Sequence, residues 1–491
     1  MTIARGIAAS SLILSATLLL GRLAGFLREV QLAAVFGVSR DADFAVVLLT
    51  TPDLLVNLLL SGGLSVALIP EFARLDPGGR TQLFLRASLL VLALFGVVAV
   101  LVALFPWLLM LAFAPGYLGV STEEYGAAFA IASVAIPLAG IVGVSSALLN
   151  AQHKFFVAGS GTLIFNLAII AVLLLGASIG DQLLVLATGI ALAALLRYMS
   201  QLLACLPHLS RAKGDVQPTG ARRLAVRFTQ ALGASTLILL IPVILRAIVS
   251  LGNEGNIAAF NYATKLVELP LGIAITTIST VAFPALSRAV SGSDGAEEQR
   301  VLGDGIQRGL CLAICITIPC LWFSPALVEV VFGRGRVGPD DLTLISDMAR
   351  LGFLTLPSVA ISSMAMASLN ARGQTGLLFR MTLATIVLLP VLAAPGLLVG
   401  DAKLVIAALP AFHLIYAVVL SRSAALRMTE QLRTMGRPLA ASILATSAGA
   451  LALESAGADA AWLGAGVAIV AMAIALLGSG GLTRGRRVAQ N

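Results

Sequence analysis

Fourteen runs of about twenty or more predominantly apolar residues follow one another along this 491-residue chain. They centre near 7–36, 42–70, 82–113, 123–150, 156–176, 181–206, 221–252, 256–287, 300–333, 339–370, 374–398, 402–425, 436–455 and 461–479. A bilayer core asks for ~20 such residues per helix. The runs are continuously apolar rather than alternating, which favours helices over a β-barrel. Composition agrees: 59% of residues are hydrophobic, only 11% are charged, and the mean hydropathy is +1.00. A soluble domain carries ~25% charged residues, and so few charges cannot coat a chain of this length in water. Soluble enzyme, nucleic-acid binder and disordered chain are thereby excluded. The expected fold is an all-α polytopic membrane protein of about 14 transmembrane helices. The first apolar run extends from Ile7 toward Phe36, well beyond the apolar core of a cleavable signal, so it reads as the first span.

The net charge of +8 reports topology before it reports a partner. With the N-terminus inside, one set of loops holds eighteen Lys and Arg residues, and the opposite set holds only Arg40, Arg334, Arg336 and Lys403. Basic residues gather on the cytoplasmic side, so both termini are expected there. Cys205, Cys311, Cys315 and Cys320 are too few and too apolar in setting for a disulfide framework. The last three share the run GLCLAICITIPCLWF with no His or acid, where a thiol is a small hydrophobe and not a metal ligand.

The chain repeats itself. SVALIPEFARL (65–75) and STVAFPALSRA (279–289) lie at an offset of 214, aligning Ser65 with Ser279, Pro70 with Pro284 and Arg74 with Arg288. LNAQ (149–152) and LNAR (369–372) lie at an offset of 220. The offset spans six helices, an even number, so the copies are parallel. Parallel repeats related by an axis along the membrane normal are a transporter architecture. The expected organisation is a six-helix lobe over 1–213, a second six-helix lobe over 214–430, and two additional helices over 431–491 after the basic linker RMTEQLRTMGRP.

Charges within the spans carry the functional question. The first span reads LLLGRLAGFLREVQLAAVFG (18–37), with Arg22, Arg28 and Glu29. Each mid-membrane Arg costs ~2.5–3.5 kcal/mol on insertion scales and normally faces a wet cavity or a partner. At 100° per residue, Arg22 and Glu29 share a stripe with Gly25 between them, and Arg28 points about 120° away. Glu29 can neutralise either cation. The alternative is snorkelling or a structural salt bridge, which weighs evenly for Arg28 and Glu29 and less for the deeper Arg22. Arg246 in span seven reads as a snorkelling residue or a further cavity cation. Lys265 and Glu268 in span eight are three apart and share a helix face. Asp43 reads as a helix cap in SRDADF. Asp53 follows Pro52, suggesting a kink whose freed backbone it tends. Several cations in one groove fit a multiply charged anion, since guanidinium forks onto phosphate oxygens. Catalysis lacks support. His153, His208 and His413 are scattered, and no HExxH, GxSxG or Walker A motif is present. No cofactor is implied.

GRLAGFLREV in span one, ADF…PDLL…SVALIPEFARL in span two, LLNAQHKF after span four, LPHL (206–209), YATKLVELPLGI in span eight and LNARGQT after span ten resemble the MurJ (MviN) family, in order over about 430 residues. The resemblance implies fourteen helices in two lobes with alternating access, within a superfamily that includes multidrug extruders. It implies a bacterial inner-membrane flippase moving lipid II, a polyprenyl-diphosphate-linked glycan, from the cytoplasmic to the periplasmic leaflet. It would place Arg22 and Arg28 in the cavity, with Lys265 at the span-eight cation position, while Arg246 of span seven, outside the family pattern, is a further candidate ligand. Asp43 and Glu268 match acidic positions, with Gly25 and Glu29 in support. Two positions depart from the family pattern: Val56 stands where span two would carry an arginine, and Lys265 replaces an arginine in span eight, preceded by Thr264. A flippase for an exopolysaccharide or other lipid-linked oligosaccharide, and a cation-coupled multidrug extruder, remain the alternatives. Membrane lipid is an expected partner, nucleic acid is not, and protein partners are not legible.

Overall fold

The computed structural model describes residues 2–58, 64–176, 180–210, 234–272, 276–292, 294–424, 426, 428–455 and 461–478. Among the described residues the chain is helical throughout and contains no strand. It divides into two compact units, Met1–Ile257 and Ala258–Asn491. The boundary expected after residue 213 falls in 211–233, outside the described residues.

The first unit contains α1 (Thr2–Phe36), α2 (Arg40–Leu58), α3 (Leu64–Arg74), α4 (Pro77–Leu104), α5 (Trp107–Phe113), α6 (Gly126–Ala132), α7 (Ala135–Ala151), α8 (Phe155–Gly176), α9 (Gln182–Cys205) and α10 (Ala234–Val249). Spanning helices begin where the sequence supplies caps. Asp76 accepts from the Gly79 N–H with Pro77 next in line, and Asp181 accepts from Leu183 and Leu184, which satisfies donors that have no intrahelical acceptor. α4 shows leucines and valines to its surroundings along its length, Leu89, Leu90 and Leu104 among them. Such a face is stable against lipid and costly against water.

The second unit begins within α11 (Asn256–Pro270) and continues with α12 (Thr276–Ser291), α13 (Gly295–Phe332), α14 (Pro339–Phe353), α15 (Thr355–Ala371), α16 (Thr375–Ile386), α17 (Leu389–Val399), α18 (Ala402–Ile406), α19 (Ala408–Ser423), α20 (Met428–Arg433), α21 (Gly436–Ser455) and α22 (Ala461–Gly478). α13 kinks at Phe323, whose φ/ψ is non-helical. Pro325 has no N–H for the Leu321 carbonyl one turn earlier. Arg350 of α14 takes that place, its Nε donating to Leu321 O at 3.2 Å. Cys311 and Cys315 pack with Ala445, Ala471 and Ala475, and all four cysteines are buried thiols.

The repeat seen in the sequence recurs in both interiors. In the first unit Phe72, Val144 and Ala147 lie in one buried cluster. In the second, Leu286, Met364 and Ala367 lie in another, at the same offsets of 214 and 220. α7 and α15 also end alike. The Lys154 N–H donates to Leu149 O at 2.8 Å, and the Gln374 N–H donates to Leu369 O at 2.9 Å. Each cap turns through a left-handed residue, His153 with φ 57° or Gly373 with φ 70°, as this closing motif requires. Nine described helical stretches are long and apolar enough to cross a bilayer, and α1, α2, α3, α10, α11, α12 and α22 fall on the remaining apolar runs. The chain has the all-α fold of a multi-pass membrane protein.

Candidate functional site

Four charged side chains of the first unit, Arg28, Glu29, Asp53 and Arg197, lie on α1, α2 and α9 beside α8. Gly21 and Gly25, one turn apart, let α1 approach α8 closely, as small residues do between membrane helices. A Cβ at Gly25 would stand 3.2 Å from Asn166 Nδ2. The bare glycine leaves room for that carboxamide, which donates to Gly21 O at 3.2 Å and accepts from Arg28 Nη1 at 3.0 Å. Arg28 is only 4% exposed. Its Nη2 meets Glu29 Oε1 at 2.5 Å and Asp53 Oδ2 at 2.9 Å. Glu29 is as deeply buried as Arg28, whereas the Asp53 side chain is 35% exposed.

This arrangement differs from the helical-wheel expectation. The wheel groups Arg22 with Glu29, but Glu29 turns to Arg28 while Arg22 is exposed. In a low-dielectric interior the shortest opposite-charge pair dominates. Arg28 does not stand open to a hollow: two acids and an amide occupy it. Asp53 is also placed otherwise than read. The carbonyls near Pro52 are bonded by threonines, Thr50 to Val46 O at 2.7 Å and Thr51 to Val47 O at 3.3 Å. Asp53 is left to pair with Arg28.

A small cleft opens beside this pair, lined by Pro52, Asp53, Val56, Ala135, Ala139, Val142, Phe165, Ala194 and Arg197. Arg197 is the functional candidate that sequence reading missed. It lies in the apolar run ALLRYMSQLLAC and is 4% exposed. It donates from Nη2 to Thr162 Oγ1 at 3.2 Å, its Nε has no hydrogen-bond partner among the described residues, and no described carboxylate lies within ion-pair distance. The signal was available, since a lone arginine in a span is costly wherever it occurs. Gly161 makes room for it, because a Cβ there would meet Arg197 Nε at 3.2 Å. Val56, where the resemblance led one to expect a cation, shares the cleft with Arg197.

Asp43 does not cap its own helix. Ser39 does so, accepting from the Ala42 N–H at 3.2 Å. Asp43 is buried, and its Oδ2 accepts from the Tyr117 hydroxyl at 2.5 Å and from the Gly255 N–H at 2.8 Å. Burial and then the neighbouring Asp43 push the Tyr117 phenol above its usual range. Arg40 adds an exposed clasp at the same end, meeting Glu124 at 2.8 Å and forking onto Glu254 at 2.5 and 3.0 Å. Arg246 does not snorkel; its Nη1 donates to Thr50 Oγ1 on α2. In the second unit Lys265 and Glu268 pair at 2.7 Å, on one face as read. His413 lies beside Phe412 in α19, its Nδ1 without a hydrogen-bond partner among the described residues. No group of three or more His, Cys, Asp or Glu suited to a metal occurs among the described residues.

Two guanidinium groups, those of Arg28 and Arg197, are thus buried within the first unit. The sequence model of a family described as "Lipid II flippase MurJ" matches residues 32–473. A protein of Rhizobium tropici named "Probable lipid II flippase MurJ" is 26% identical over 405 residues, covering 78% of this chain and 75% of that one. The "Lipid II flippase MurJ" of Burkholderia cenocepacia is 24% identical over 359 residues, covering 67% and 66%. Among solved structures, "Lipid II flippase MurJ, inward closed conformation" superposes with a TM-score of 0.80 at 20% identity, covering 96% of this chain and 99% of that one. An inward-facing multidrug transporter of the MATE family gives 0.68 at 14% identity over 83% and 95%. At these identities the two superpositions speak for the fold. The family match, running from inside α1 to inside α22, speaks for descent: this chain belongs to the MurJ family.

Proposed function

We propose that this protein is a flippase for lipid II, carrying the polyprenyl-diphosphate-linked glycan from the cytoplasmic to the periplasmic leaflet of a bacterial inner membrane, with both termini cytoplasmic. Family membership supports the class of activity, and the names of the relatives support the substrate. The observation that supports the reading physically is the buried guanidinium of Arg28, held within the first unit by Glu29 and by the partly exposed Asp53. A guanidinium buried in hydrocarbon is stable only with an anion to face. A diphosphate supplies several oxygens in the geometry that an arginine fork accepts. Arg22 and Arg28 on α1 receive the headgroup, with Gly25 and Glu29 setting their positions. Arg246, tied to α2, and Lys265, steadied by Glu268, are further ligands. Asp43, joined to Tyr117 and Gly255, gates the far end of the first unit. The glycan travels with its diphosphate on these cations while the lipid tail stays in the bilayer.

Depletion tests the reading. Cells that lose the protein should accumulate lipid II in the inner leaflet and lyse, and the wild-type chain should restore growth. Normal cell walls with surface polysaccharide alone missing would move the substrate to another lipid-linked glycan. Loss of resistance to cytotoxic cations with walls intact would point to drug extrusion.

A further inference from the structure

Four ionised groups sit together inside the first unit, and they are not evenly paired. Glu29, as buried as Arg28 and 2.5 Å from it, already balances that arginine. Asp53 therefore brings a second negative charge to a cation that has one, at 2.9 Å. Arg197, which lines the same cleft as Asp53, has Thr162 for company, an Nε without a hydrogen-bond partner and no described carboxylate within ion-pair distance. The four charges sum to zero, so Arg197 is matched by a partner only when Asp53 is counted toward it. An unpaired buried cation is strongly unfavourable, and so is crowding two acids onto one guanidinium. Moving the Asp53 carboxylate across the cleft relieves both. Asp53 is the one acid of the group able to make that move: its side chain is a third exposed, it follows a proline in α2, and rotation about χ1 swings a carboxylate by several ångströms. Two nearly balanced positions for one charge form the bistable element on which a ligand can act.

We infer that Asp53 is a transferable counter-ion: it rests on Arg28, and it passes to Arg197 when an anionic headgroup takes its place. This rests on the reading of Arg28 as a diphosphate ligand. The exchange gives Arg197 a carboxylate partner while the headgroup occupies Arg28. It also lets the headgroup leave, because Asp53 returns to displace it. Arg197 is then a positioning residue, acting on the substrate only through Asp53. The charge that Val56 lacks on α2 is thereby supplied from α9 across the same cleft.

The experiment is a double-mutant cycle on detergent-purified full-length protein, with farnesyl diphosphate as the probe and affinity read by calorimetry. Asp53→Asn should tighten binding about tenfold and Arg197→Gln should weaken it about tenfold, a usual size for a coupling of this kind. In the Asp53→Asn background, Arg197→Gln should change affinity by less than about twofold, because its route of action is gone. An equal weakening by Arg197→Gln in both backgrounds would mean simple through-space attraction and would overturn the exchange. Should Arg197→Gln not yield folded protein, the Asp53→Asn arm decides alone, since an acid with a merely structural role lowers affinity when removed. Arg28→Ala separates the two claims. If it leaves binding unchanged, or if the wild type does not bind the probe, the reading of Arg28 fails and the exchange with it. If it abolishes binding while the cycle is additive, only the exchange fails.

Discussion

Asn166→Leu is the sharpest probe of how the first unit holds its arginine. The substitution keeps the branched shape of the side chain, with methyl groups somewhat larger than the amide atoms, and removes both of its bonds, from Arg28 Nη1 at 3.0 Å and to Gly21 O at 3.2 Å. A hydrogen bond to a charged group contributes about 1.5–3 kcal/mol and a neutral one about 0.5–1.5 kcal/mol. Leucine regains part of this by burying apolar surface. The net loss should be about 2 kcal/mol, which lowers the midpoint of thermal unfolding by roughly 4–8 °C for a unit of this size. Size-exclusion chromatography of detergent-purified protein after a temperature ramp measures it. Gly25 provides the internal check. A Cβ there stands 3.2 Å from Asn166 Nδ2 and presses on the same amide. In an Asn166→Ala background that obstacle is gone, so Gly25→Ala should be about 1 kcal/mol more favourable than in the wild type and show its helix propensity. A wild-type midpoint for Asn166→Leu, or identical effects of Gly25→Ala in both backgrounds, refutes the described packing.

Three further outcomes are expected. His153→Gly should raise stability by about 0.5–1 kcal/mol despite losing its ring contact with Phe155, because φ is 57° there and the repeat-related position is Gly373; the same thermal assay reads it. Gly255→Ala should cost about 2 kcal/mol or more, since φ is +83° and a Cβ would stand 2.6 Å from Val38 Cγ1, pulling the N–H away from Asp43; lowered yield and midpoint are the readouts. Arg22→Lys should impair complementation of a depleted strain while protein levels hold, if the fork geometry of guanidinium and not charge alone serves the headgroup.

Much of this molecule was legible in its sequence, and the reasons are local. Span positions follow from uninterrupted apolar length, which the bilayer enforces directly. The repeat was visible because matched residues do matched work: Phe72 and Leu286 each lie in a buried cluster, and LNAQ and LNAR each close a helix through a left-handed residue. The pairing of charges was less legible, because it depends on neighbours distant in the chain. A helical wheel of α1 cannot know that Asn166 and Asp53 will draw Arg28 inward. Asp43 has the local look of a cap, yet its partners Tyr117 and Gly255 lie 74 and 212 residues away. Arg197 went unread because nothing beside it in sequence is charged; its meaning comes from the cleft it shares with Asp53.

The most direct measurement is the leaflet distribution of lipid II in cells whose wild-type protein has been replaced by the Arg28→Ala variant, scored by a membrane-impermeant hydrolase that cleaves the lipid only from outside. With the variant present at normal levels, externally cleavable lipid II should vanish while the total pool rises. Cleavage at the wild-type extent would contradict a headgroup-carrying role for the buried arginine.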